Sequence, residues 1–170
     1  MTNRVFEWTA PTLLAVPPKK IILTAALTAL ALAALAFSNA FAQTQSSEVA
    51  SLEQKLLGSH LFSLQWVSWK KFGTAEITRK EDGQLYIDAS QSLDGNYVTL
   101  QGVLTPINAA EFTVEGELIT RTSDINNSEP CARSGTFNFK ATGTRKYWRL
   151  QQMNNPCDGI YAEYVDVFFK

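Results

Sequence analysis

The sequence predicts an all-β protein: an eight-stranded antiparallel up-and-down meander that closes into a small barrel, preceded by one short N-terminal helix. Three observations predict it. After Gly58 the apolar segments alternate with period two rather than with the 3.6 spacing of a helix. Two Asp-Gly turn signals separate consecutive segments. The connections are short, and no second helix interrupts the run. A sheet of about eight strands closing on itself removes exposed edges and leaves room for packed side chains or one small ligand. A two-sheet β-sandwich has the same alternation and stands as the alternative.

Residues 1–42 precede the fold and read as a signal peptide. Lys19 and Lys20 form a basic end, and Ile21 to Phe37 follow as 17 uncharged residues. Ala40-x-Ala42 is the small-residue pattern that signal peptidases cleave, which would leave Gln43 first. The competing reading is a retained anchor, but a spanning helix wants about 20 apolar residues. Under either reading the two lysines stay cytoplasmic and the remainder is exported, periplasmic or secreted. Residues 43–170 then form a single domain long enough for a core of its own.

Within that domain, Ser46 to Leu57 carries Val49, Leu52, Leu56 and Leu57 at helical spacing and stops at Gly58. The first strand, Leu61 to Val67, puts Phe62, Leu64 and Trp66 on one face. Thr74 to Arg79 follows with Ala75 and Ile77 inward. Glu81-Asp82-Gly83 turns the chain into Leu85 to Ser90, and Asp94-Gly95-Asn96 turns it into Tyr97 to Leu104. The fifth strand, Glu111 to Thr122, sends Phe112, Val114, Gly116 and Leu118 in and Glu115 and Glu117 out. A glycine in mid-strand marks a bend or a close approach. Gly135 to Ala141, with Phe137 and Phe139 inward, is the sixth strand. The seventh begins at Lys146, and the eighth runs from Ile160 to Phe169.

Removing Arg4, Lys19, Lys20 and Glu7 from 15 basic and 16 acidic residues leaves 12 and 15, a net charge of -3. That balance, with basic residues scattered, favours neither nucleic acid nor an anionic membrane surface. Cys131 and Cys157 both lie in the exported part, where one disulfide is expected; two separate buried thiols are the alternative. In an up-and-down meander the loops after strands five and seven emerge at the same end, which brings the two cysteines within reach. Two distant cysteines and the lone His60 do not make a zinc site. His60 has no partner at triad spacing and reads as structural. No nucleophile elbow and no glycine-rich phosphate loop occur, so neither an enzymatic site nor a cofactor is expected.

The short helix ending in Lys55-Leu-Leu-Gly58, the apolar first strand and the meander to the C-terminus resemble the small lipocalin-like (calycin-type) barrels. The tryptophan those families carry two residues after the glycine is His60 here. The resemblance implies a barrel that holds a small apolar molecule. Arg145 to Gln151, "RKYWRLQ", is similar to a stretch found in uncharacterised exported bacterial proteins.

The candidate binding residues are Trp66, Trp148, Arg149 and Asp166. On the seventh strand Trp148 and Leu150 share one face, and Tyr147, Arg149 and Gln151 share the other. The plain reading makes Trp148 core and Arg149 external. The alternative places Arg149 in an aromatic-lined cavity, where it needs a carboxylate, with Asp166 the first choice and Asp88 the second. The expected role is a non-enzymatic binding protein. Its partner is either a small apolar ligand or, if the barrel packs fully with its own side chains, another exported protein.

Overall fold

The computed structural model describes residues 43–159 and 161–170, so the leader and its cleavage point lie outside the described residues. Residues 43–56 form helix α1, and eight strands follow: β1 (Gly58–Leu64), β2 (Gly73–Arg79), β3 (Leu85–Leu93), β4 (Asn96–Asn108), β5 (Glu111–Arg121), β6 (Cys131–Lys140), β7 (Tyr147–Leu150) and β8 (Val165–Phe168). Each strand pairs antiparallel with the next, and β8 returns to pair with β1, closing the barrel. The sandwich alternative is excluded by that last ladder, in which Phe62 faces Val167 and Leu64 faces Val165.

Local chemistry sets the turns and the curvature. Asp94 and Gly95 both take positive φ, 50° and 81°, as a two-residue hairpin turn requires, and Leu93 pairs with Asn96 across it. In the middle of the longest strands, Gly102 pairs with Gly116 and Gly116 with Gly135. This row of three glycines crosses β4, β5 and β6 where side chains would point inward. A Cβ on Gly116 would lie 2.0 Å from the Gln101 carbonyl oxygen and 2.6 Å from the Gly102 Cα. β4 and β5 therefore approach one another there more closely than any side chain allows, whereas a Cβ on Gly135 would meet nothing within 4 Å.

The inward positions carry the core. Phe62, Phe112, Phe139 and Trp148 are almost wholly buried, with Phe112 stacked on Phe139 at 5.1 Å and edge-on to Trp148 at 5.7 Å. Leu52 and Leu56 of α1 join the same cluster, so the helix lies over one mouth of the barrel. Alternation makes this the helix end: it also holds the β4–β5 hairpin, the β6–β7 loop and the exit of β8. The opposite end holds the 65–72 loop and the disulfide.

Several strand limits differ from the expectation: β1 begins earlier, at Gly58, and β3 and β4 run on to Leu93 and Asn108. β1 ends at Leu64 because the amides of Val67 and Ser68 both turn back to the Leu64 carbonyl, at 3.0 and 3.3 Å. β6 starts at Cys131 instead of Gly135 and runs through Gly135 without losing register. β8 starts only at Val165. Gln65 replaces the ladder before it, accepting from the Tyr164 amide and donating to the Ala162 carbonyl.

Candidate functional site

Cys131 and Cys157 form the expected disulfide, with Cα atoms 5.9 Å apart, tying the start of β6 to the turn after β7. Beneath it lies a charge pair that the sequence reading missed. Arg133 and Glu163 meet at 2.5 Å, with side chains 9% and 2% exposed, inside the disulfide end of the barrel. Glu163 also accepts from the Thr120 hydroxyl and the Asn155 amide, while Arg133 donates to the carbonyls of Gln152 and Asn154. Burial lowers the Arg133 guanidinium below its ordinary value, with Glu163 opposing that shift. The knot anchors the loop before β8 and plugs that end. Continuing the β6 alternation back from Phe137 would have placed Arg133 inward.

Arg149 and Asp166 do pair, but on the outer face of the wall. Arg149 Nε and Nη2 donate to the two Asp166 oxygens at 2.8 and 2.7 Å. The guanidinium lies 5.0 Å from the Tyr147 ring and 4.3 Å from the Tyr164 ring. Asp166 is 1% exposed, so the pair is covered by aromatic side chains and does not project into solvent. The hydrogen bond to Asp166 raises the Arg149 guanidinium above its ordinary value, against the effect of burial. The plain reading, Trp148 in the core and Arg149 outside, describes the faces; the Asp166 partner expected only for an interior Arg149 is found on the outer wall instead. Asp88 is bonded instead to Gln101.

Trp66 is corrected more sharply. It is 43% exposed, because the turn at Leu64 ends the alternation that would have carried it inward, and Val67 takes the buried place. Its indole N–H donates to the Ala162 carbonyl, and its ring meets Tyr161 edge-on.

Trp148 is core, as its face predicts, and it also floors a cleft of about 460 Å³ at the helix end. Phe169 packs on it at 4.2 Å between ring centres. Gln54, Lys55, Ala109, Lys146 and Lys170 complete the lining. Lys170 Nζ donates to the Leu57 carbonyl. Lys55 and Lys146 have no ion-pair partner among the described residues. The Trp148 indole N–H has no acceptor among them either. His60 sits alongside, edge-on to Trp148 at 6.0 Å. Its Nδ1 is 2.8 Å from the Phe168 carbonyl and its Nε2 2.6 Å from that of Leu56. A neutral ring donates only one of those bonds, and the doubly protonated ring donates both. Either way His60 clamps α1 to β8, the structural role expected of it.

The profile of the PM1083 family matches residues 42–169, the length of the described domain but for its last residue. The chain belongs to the PM1083 family. An uncharacterised protein of Pasteurella multocida (strain Pm70), itself called PM1083, is 45% identical over 141 residues, which are 81% of this chain and 91% of the relative. No solved structure matches the chain. Family membership bears out the similarity to an uncharacterised bacterial family, and these matches add nothing to the lipocalin-like resemblance. The barrel, the disulfide and the Trp148 cleft, Lys170 apart, all fall within the length matched by the family.

Proposed function

We propose that the protein is an exported, non-enzymatic binding protein that holds a small amphipathic anion in the cleft at the helix-covered mouth of the barrel. The observation that carries this reading is the cleft itself: about 460 Å³, within the size range of ligand sites, with an aromatic floor and a lysine rim. Trp148 and Phe169 offer an apolar body a surface to cover. Lys55 and Lys146 offer an anionic head two unpaired ammonium groups. The barrel interior is occupied by the protein's own side chains, so the ligand reading moves from the interior to the mouth. Export is supported by the leader pattern and is compatible with the disulfide.

Calorimetry with decanoate and with decanol tests the reading. Decanoate should bind saturably and decanol at least tenfold more weakly. Replacing Lys55 and Lys146 together by Glu should remove most of that difference. Equal binding of the acid and the alcohol, or decanoate binding untouched by the double replacement, would defeat it.

A further inference from the structure

At the opposite end of the barrel the 65–72 loop, "QWVSWKKF", presents apolar rings to water and is tied in place by hydrogen bonds. Trp66, Trp69 and Phe72 are 43%, 60% and 42% exposed. Phe72 continues an outer-wall strip, and Trp66, near it in the chain, meets Tyr161. Phe72 meets Phe168 at 5.1 Å, Phe168 meets Tyr147 at 5.4 Å, and Leu61 stands on β1 beside Phe168 by register. Single exposed rings are ordinary on a protein surface, but a contiguous strip of them marks an interaction site.

The loop does not collapse onto the barrel because Gln91 holds it in place. Gln91 is 2% exposed and faces inward at the end of β3. Its Oε1 accepts from the Leu64 amide, and its Nε2 donates to the carbonyls of Ser68 and Lys71. Ser68 Oγ accepts in turn from the amides of Lys70 and Lys71. A buried amide thus uses both of its ends to fix the loop in a shape that leaves Trp69 outside.

The charge of the loop selects the partner. Lys70 and Lys71 are exposed between Trp69 and Phe72, and from Leu61 to Ala75 the chain carries no carboxylate. The nearest one along the chain is Glu76, on the outer face of β2. Asp166, on the adjacent wall, is already bonded to Arg149. We infer that this loop is a docking site for an anionic lipid surface, with Trp66, Trp69 and Phe72 entering the interface and Lys70 and Lys71 meeting the head groups. Tryptophan and lysine both suit that boundary, each having an apolar body and a polar end. The net negative charge of the domain acts on an approaching membrane only over about 8 Å at physiological ionic strength, so the local charge of the loop decides the contact.

The test is flotation with vesicles of phosphatidylcholine alone and of phosphatidylcholine with 30% phosphatidylglycerol, using residues 43–170, which hold the entire described core. The protein should float with the mixed vesicles, with a blue-shifted tryptophan emission, and bind pure phosphatidylcholine at least tenfold more weakly. Trp69→Ala, and separately the pair Lys70→Glu and Lys71→Glu, should each weaken binding at least tenfold while leaving the far-ultraviolet circular dichroism unchanged. Lys55→Glu, at the far end of the barrel, should leave it intact. Failure to float overturns the inference. So does binding that survives both loop variants, or a strip that buries itself in a concentration-dependent dimer abolished by Trp69→Ala.

Discussion

Arg149 spans Asp166 with two hydrogen bonds while two tyrosine rings flank it, so its loss strands a carboxylate that is 1% exposed. Breaking a fully buried pair costs about 3–5 kcal/mol. Arg149 keeps an edge in water, so Arg149→Ala should cost roughly 2 kcal/mol in a urea unfolding series. Adding Asp166→Ala should recover part of that loss, and strict additivity would show that the two do not interact. Trp148→Ala should cost more, about 3–5 kcal/mol, because the cavity it leaves is walled by Phe112, Phe169 and His60. Parity placed both side chains on the correct face of β7. What parity does not contain is the cover over the outer face, since Tyr164 reaches Arg149 from a segment 15 residues further along the chain. Trp66 shows the converse. Its neighbours alternate, but two backbone bonds to one carbonyl end the strand before it, and such a turn has no glycine or proline to announce it.

Strand identity and order were legible because β2 to β5 each have one buried and one wetted face, an alternation that runs from Ala75 to Leu118. β8, buried at Val165, Asp166 and Val167 alike, lacks it. Strand ends were less legible, since they depend on side chains that replace the ladder, as Gln65 does before β8. The glycine row is an element-scale feature with an element-scale test. A Cβ at Gly116 meets backbone atoms of β4 and has no flexible side chain to displace, so Gly116→Ala should destabilise by about 1–3 kcal/mol. Equal stability would show that the strands part at no cost. The disulfide clamps a β6–β7 hairpin in which only two residue pairs are in register, Phe139 with Leu150 and Lys140 with Arg149. Replacing Cys131 and Cys157 by serine should therefore remove about 3 kcal/mol. The melting temperature should fall by roughly 10 °C, with the β-sheet circular dichroism retained.

Across the whole molecule, the closed ladder between β1 and β8 leaves two ends with different chemistry. The disulfide end is plugged by Arg133 and Glu163, and the helix end opens into the Trp148 cleft. Strand count and alternation allowed closure but left the sandwich open, and the β1–β8 ladder decides between them. The cleft was not legible, because Lys55, Ala109, Lys146 and Phe169 come from four separate parts of the chain and meet only once the barrel closes under α1. Export has its own test: intact mass of protein recovered from outside the cytoplasm should begin at Gln43, and a membrane-bound species retaining Ile21 to Phe37 would contradict it. The binding claim is tested most directly by nitrogen–proton NMR of residues 43–170 during a decanoate titration. Saturable shifts in the Trp148 indole signal and in the amides of Lys55, Lys146 and Phe169, with the Arg133 end silent, are the expected result. An unmoved Trp148 indole, or shifts spread through the barrel interior instead, would contradict binding at the mouth.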